Sequence, residues 1–271
     1  MGWRLKKEMY RPLNIGVMLH SPTRKLYGFL VELKREAIEA VGVLEGITRV
    51  FASNNIPILS LVTNIGKDMV EVMIYVDMTV STLKPEHLKK ELTKIEHVKN
   101  VIGIKPLKNG LLVDTIHFPL TLAEERAILL RRPLFEALIK GGYEMFHEPW
   151  AIWLYHVGFK MGYDACDSHV KLVGENIEDI VNIGTRMFAI VGFGILEVLE
   201  YDMIQHTARV RVRSSFECEM FKDAGKPMGH FIRGFIAGWF SRVSGRELSA
   251  DEIRCIAMGD PYCEFIVLSR R

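Results

Sequence analysis

Residues 229–267 read GHFIRGFIAGWFSRVSGRELSADEIRCIAMGDPYCEFIV, and the rest of the chain is best understood outward from them. Gly229–Ser244 is apolar and aromatic at helical spacing, which predicts a largely buried helix. Two apolar β-type runs follow, around Ile253–Met258 and Cys263–Leu268, separated by the turn-forming Gly259-Asp260-Pro261. Such a hairpin sets Cys255 and Cys263 side by side, on the same face of a period-2 ladder. Thiols converging in this way form a metal site, a redox pair or two packed core cysteines. With His and Glu nearby, zinc suits the soft thiolate ligands, although two cysteines supply only half of a tetrahedral site.

The residues before this stretch continue the alternation of helices and strands. Thr207–Cys218 (TARVRVRSSFEC) reads as a strand with Arg209, Arg211 and Arg213 on one face and Val210 and Val212 on the other; the charged face is expected to be solvated. Leu196–Tyr201 also alternates, while Trp150–Met161 and Ile177–Phe188 read as helices. Leu120–Gly141 is helical in pattern, opens with a capping box at Thr121-x-x-Glu124, and is split by Pro133. Trp150, Trp153, Tyr155, Phe159 and Tyr163 cluster in one helix and Phe231, Phe235, Trp239 and Phe240 in another. Aromatic residues at this density are mainly core. His147, His156 and His169 add polar handles, and Trp153, His156, Phe235 and Trp239 are the candidate ligand-binding set.

The run GHFIRGFIAGWFSRVSGRELSADEIRCIAMGDPYCEFIV resembles the carboxy-terminal signature of the V4R (4-vinyl reductase) domain, and SFECEMF, VGFGILEVLEYD and WAIWLYHVGFKMG fit the rest of that pattern. The resemblance spans roughly Thr115 to Arg271. It implies an α+β domain, an antiparallel sheet packed with helices, which usually dimerises and encloses an apolar pocket. In sensor relatives a structural zinc is held by three cysteines and a glutamate. Carried over, Cys255 and Cys263 take two cysteine positions and Glu252 the glutamate position. The third cysteine position falls on Gly229, which cannot ligate a metal. His230 beside it is the expected stand-in, with Cys218 in reserve and Cys166 simply packed.

Residues 12–108 have the order β-α-β-β-α-β of a ferredoxin-like domain. Leu26–Lys34, Ile58–Val62, Met69–Asp77 and His97–Pro106 are the strands; Ile38–Asn54 and Glu86–Ile95 are the helices, the second opened by Pro85. FLVELK, VGVLEGITRVFASNNIPILSL, MIYVDM and LKKELTKIEHVKNVIGIKPL resemble an ACT domain, with Gly42 keeping the glycine of the loop that enters its first helix. The resemblance implies a regulatory module that pairs with another copy and often binds an amino acid near that loop. Lys108-Asn109-Gly110 is the expected linker, so the chain divides into a tail at 1–11, an ACT-like domain at 12–108 and a V4R domain at 109–271.

Composition narrows the function. In 271 residues, 49% are hydrophobic and 25% charged, the balance of a chain with real cores. A net charge of +2, from 35 basic and 33 acidic residues, argues against direct nucleic-acid binding by global charge. No apolar run is long enough to span a bilayer, and Met1–Arg11 lacks the apolar stretch of a signal peptide, so a cytoplasmic protein is expected. Gln205 is the sole glutamine beside abundant Lys and Glu, as in thermophile proteins. No G-x-G-x-x-G follows a strand, and there is no P-loop or G-x-S-x-G. The chain therefore reads as a non-enzymatic, homodimeric small-molecule sensor, taking an apolar or aromatic ligand and an amino acid, with a structural zinc and a separate output protein. The alternatives are an accessory subunit of a vinyl-reducing tetrapyrrole enzyme and a dimeric assembly scaffold.

Overall fold

The computed structural model describes residues 10–66 and 70–269. The expected tail, 1–11, lies outside the described residues except for Tyr10 and Arg11, and so does Met69. Two compact units are present, Tyr10–Ile128 and Leu129–Arg271.

The first unit opens with β1 (Met18–His20) and β2 (Leu26–Leu33). Arg35–Ile38 then closes a separate 3-10 turn. Gly42, with φ 94°, starts α1 (Val43–Ser53) later than the periodicity alone predicts. That left-handed backbone is open to glycine without a steric penalty. β3 (Ile58–Ile65), β4 (Val70–Asp77), α2 (Pro85–Thr93) and β5 (Val98–Ile104) complete the expected order. They form an antiparallel sheet in the order β3-β4-β2-β5, the split βαββαβ arrangement. Val43, Ile47 and Phe51 of α1 and Leu88 and Leu92 of α2 bury one face of the sheet against Phe29, Val31, Val72 and Ile74. On the other face, Leu30, Met73, Tyr75 and Ile104 pack with Leu112 of β6 (Leu111–Val113), which pairs with β1.

That pairing carries the first unit past Asn109. Thr121–Leu122 (β7) and Glu125–Arg126 (β8) make a short hairpin in place of a capped helix. Ala123 and Glu124 both have positive φ, the twist a two-residue hairpin turn needs, so the expected capping box does not form. Between β6 and this hairpin, His117 is held on both sides. Its Nδ1 lies 2.6 Å from Asp114 Oδ2 and its Nε2 3.3 Å from Glu71 Oε2, which also accepts from Asn64 Nδ2. Burial lowers the imidazole pKa, but the hydrogen bond and charge of Asp114, joined by Glu71, outweigh it and the net shift is upward. A group raised in the folded state stabilises it fully below the unfolded pKa of about 6.5, and loses that effect as pH rises through the folded value. The urea midpoint of the full chain should therefore fall from pH 6 to pH 8.5. His117→Ala should flatten that slope, and an unchanged slope would refute the assignment.

The second unit starts with α3 (Arg132–Phe146), which carries Pro133 in its first turn, where the missing N–H has no partner to lose. α4 (Glu148–Val173) and α5 (Ile177–Ile190) follow; Asn176 caps α5 by accepting the Asp179 N–H. Then come β9 (Ile195–Asp202), β10 (Thr207–Arg213), α6 (His230–Ser244), β11 (Leu248–Arg254) and β12 (Cys263–Ser269). The sheet is antiparallel in the order β11-β12-β10-β9. Two strand expectations are corrected. The Thr207–Cys218 strand ends at Arg213, because Ser214 takes a positive φ and leaves the ladder. The Ile253–Met258 strand ends at Arg254, and Ile256–Met258 is a 3-10 turn. On the charged face of β10, Arg209 Nε donates to Glu264 Oε1 at 2.7 Å and Arg213 lies 3.3 Å from Glu197, so the arginine row is paired with carboxylates.

α4 and α6 cross at backbone contact. Gly158 and Gly162 of α4 face the carbonyls of Phe231 and Phe235, while Gly234 and Gly238 of α6 face those of Tyr155 and Phe159. A Cβ at any of the four would strike a carbonyl oxygen. The opposite side of α6 carries Ile236 and Phe240 into the core with Val198, Val210, Val212, Phe265 and Val267. No described helix is long and apolar enough to cross a membrane.

Candidate functional site

Cys218, Glu252, Cys255 and Cys263 converge, each offering one ligand atom within 4.8 Å of the other three. The convergence comes from three separate elements. Cys218 opens a 3-10 turn, Cys218–Phe221, in the segment between β10 and α6. Glu252 shares the inward face of β11 with Leu248 and Ala250, and the register shift after it adds the residue that lets Cys255 turn inward as well. Cys263 is the first residue of β12. Between the last two cysteines, Gly259 takes φ 94° and Asp260 Oδ2 accepts the Cys255 N–H at 2.9 Å, closing the loop tightly.

The donor chemistry fits a divalent, thiophilic metal. All three thiols are fully buried, and Cys218 Sγ lies 3.7 Å from Glu252 Oε1. Tetrahedral zinc with Zn–S bonds of ~2.3 Å separates its ligands by roughly this much. Ile256 N–H points at Cys263 Sγ (3.5 Å) and Ala257 N–H at Cys255 Sγ (3.4 Å), the backbone donors that a coordinated thiolate needs. Without a cation the group is electrostatically awkward. Hydrogen bonds to Cys255 and Cys263, with burial, push the Cys218 thiol up, whereas donation from Cys218 and Cys263 draws Cys255 down. Burial first, then the charge at Cys255, raises Glu252 to about 8. Cys166, by contrast, is packed alone in α4 with its thiol pushed up to about 12 by burial.

Cys255 and Cys263, with Glu252 through the V4R resemblance, were the expected ligands, with His230 as the stand-in and Cys218 in reserve. His230 lies outside the group, its ring centroid 6.1 Å from that of Tyr143. Cys218 takes the fourth place instead. The site is tied to α6 through carboxylates. Glu252 Oε2 accepts the Gly229 N–H (3.0 Å), and both oxygens of Glu217 accept from Phe231 and Ile232 (2.9 and 3.0 Å). These satisfy N–H groups that a helix start otherwise leaves free. Burial lifts Glu217 to about 8 against those two bonds.

α6 also borders a cavity of about 20 Å³, lined from α5 by Gly184, Thr185 and Phe188, from β9 by Leu196 and Val198, and from α6 by Phe235, Ile236, Trp239 and Phe240. Trp239 Nε1 donates to the buried Nδ1 of His169 (3.2 Å), whose pKa is lowered by burial. Phe235 and Trp239, two of the expected ligand-binding residues, line this cavity. Trp153 and His156 do not: Trp153 is 48% exposed and stacks on Trp150 with centroids 4.5 Å apart, and His156 is exposed. Helix α4 turns its glycine side to α6, so its aromatic residues at those positions point outward. The α5 and β9 lining could have been sought in the apolar face of Ile177–Phe188 and the alternation at Leu196–Tyr201.

Residues 208–269, within the second unit, match the V4R domain. An uncharacterised protein of Methanocaldococcus jannaschii is 30% identical over 63 residues, 23% of this chain and 39% of its own length. The phenol regulator MopR of Acinetobacter guillouiae is 26% identical over 173 residues, 60% of this chain and 31% of MopR. The chain thus spans well under two thirds of either relative. Among solved structures, the phenol-responsive sensory domain of the transcription activator PoxR, with phenol, matches at TM-score 0.49 and 22% identity, over 54% of this chain and 78% of that one. The ACT domain of GTP pyrophosphokinase from Chlorobium tepidum matches at TM-score 0.25 and 20% identity, over 30% of this chain and 99% of that one.

Proposed function

We propose that the second unit is a small-molecule sensor domain: it takes an aromatic ligand between α5, β9 and α6, and a zinc ion held by Cys218, Glu252, Cys255 and Cys263 locks the loops below α6. The observation that carries the ligand reading is the small, aromatic-walled cavity around Phe188, Phe235 and Trp239, in the unit whose residues 208–269 match the V4R domain. Similarity of 60% of this chain to a phenol regulator supports it. When bound, zinc supplies a closed structural centre with no open coordination position, so it shapes the site and takes no part in chemistry.

The cavity has room for about one water. A phenol-sized ring enters only if α5 moves away from α6 or Phe188 and Trp239 rotate. The open and closed arrangements then differ in ligand affinity, which is the physical requirement of a sensor. Two polar groups border the apolar walls, the Thr185 hydroxyl, which donates to the Asn182 carbonyl, and the Trp239 indole N–H, and neutral His169 can exchange Trp239 for a ligand hydroxyl. Phenol at 100 times its dissociation constant should stabilise the full chain by about 2.7 kcal/mol. Leu196→Phe, which extends a ring into the same space from β9, should abolish the thermal shift. No shift with phenol in the parent protein, or an equal shift in Leu196→Phe, would overturn the reading.

A further inference from the structure

Gly229 has a negative φ (−83°, with ψ 48°), outside the left-handed region reserved largely for glycine, so its φ does not call for glycine. Its surroundings do. A Cβ there would lie 2.8 and 3.0 Å from the two oxygens of Glu252 and 3.1 Å from Cys218 Sγ. Residue 229 therefore looks directly into the metal site, at the corner that Cys218 fills from the other side. One carbon–sulfur bond extended from that Cβ enters the space of Cys218 Sγ. Of the remaining corners, Glu252 on β11 lies nearest, and its carboxylate, the far end of a flexible side chain, must shift slightly to admit a Cβ at 229; Cys255 and Cys263 are not among the atoms nearest that Cβ.

We infer that positions 218 and 229 are alternative owners of a single metal-ligand corner, and that Gly229 is a positioning residue whose missing side chain admits Cys218. This rests on the reading of Cys218, Glu252, Cys255 and Cys263 as a metal centre. Gly229 contributes twice: its N–H fixes the Glu252 carboxylate, and its bare Cα leaves room for the thiolate. A thiol at 229 and a thiol at 218 exclude each other sterically, while either alone completes the set. The cavity side of α6 is unaffected by the exchange, because residue 229 precedes the helix and the cavity residues of α6 begin at Phe235.

The experiment is a ligand transplant in the full chain, read by bound zinc per chain and by the thiolate-to-metal absorption of the cobalt(II) form. Wild type should bind one metal ion. Cys218→Ala should bind at least tenfold more weakly, and Gly229→Cys added to it should restore one tight metal with a three-thiolate cobalt spectrum. Gly229→Ser added to Cys218→Ala matches the size without the soft donor and should not restore it. A soluble double cysteine variant that stays metal-weak overturns the inference while leaving the metal reading intact. So does an insoluble double variant beside a soluble Cys218→Ala, or equal rescue by serine. A wild type that takes up no metal overturns both.

Discussion

Cys255→Ser is expected to empty the metal centre and to lower the melting temperature of the chain by roughly 10–20 °C, corresponding to a loss of about 5 kcal/mol at 2–4 °C per kcal/mol for a unit of this size. The effect is large for two reasons. Structural zinc contributes about 10 kcal/mol or more to the folding of small zinc-dependent peptides, comparable with the whole stability of an ordinary domain. Here it would also tie together segments that lie outside regular helices and strands. Cys218 lies in an irregular segment between β10 and α6, and the Cys255–Cys263 loop consists of one 3-10 turn and a glycine-bearing reversal. Serine preserves the volume, so packing alone predicts a change of only about 1 kcal/mol. Metal analysis of untagged protein together with calorimetry separates the outcomes. Loss of metal with a shift of this size is expected; full metal content in the serine variant, or an unshifted transition, would refute it.

Gly162→Ala is expected to destabilise the second unit by about 3 kcal/mol, at the upper end for overpacking. The added methyl would drive into the carbonyl oxygen of Phe235, and a backbone atom cannot rotate away as a side chain can. Relief requires the α4 and α6 axes to separate, which also loosens the contacts at Gly158, Gly234 and Gly238. Gly141→Ala is the control. It sits inside α3 with nothing within 4 Å of the new methyl, and helix propensity favours alanine there by ~1 kcal/mol. Denaturant unfolding should show opposite signs for the two variants. Equal effects would mean that the close crossing carries no special energy.

Much of the first unit was legible because its signals are local. Phe29, Val31, Val72 and Ile74 alternate along strands, and Ile47 and Phe51 recur at helical spacing, so periodicity alone reports the buried face. The β1–β6 ribbon left no such trace: each strand has three residues, and its partner lies far away in sequence. At the metal centre the cysteine pair was legible from its turn, but the means of convergence was not. Cys255 joins the inward face through a register shift, which cannot be read from residue types. Cys218 was harder still, since only the path of the irregular segment after Ser214 brings it to Glu252, 34 residues later. The ligand set failed at Trp153 and His156 for a simple reason. The buried stripe of α4 runs through Ala151, Leu154, Gly158 and Gly162, which leaves positions 153 and 156 on the exposed side.

An aromatic ligand is expected to enter the space between α5, β9 and α6. The indole N–H resonances of Trp150, Trp153 and Trp239 report on it separately, because Trp239 lines the cavity and donates to His169, whereas Trp150 donates to the Ile139 carbonyl and stacks with Trp153 away from it. Titrating phenol into the metal-loaded, indole-labelled chain should move the Trp239 signal saturably and leave those of Trp150 and Trp153 in place. A static Trp239 signal at millimolar phenol, or movement confined to Trp153, would contradict the account.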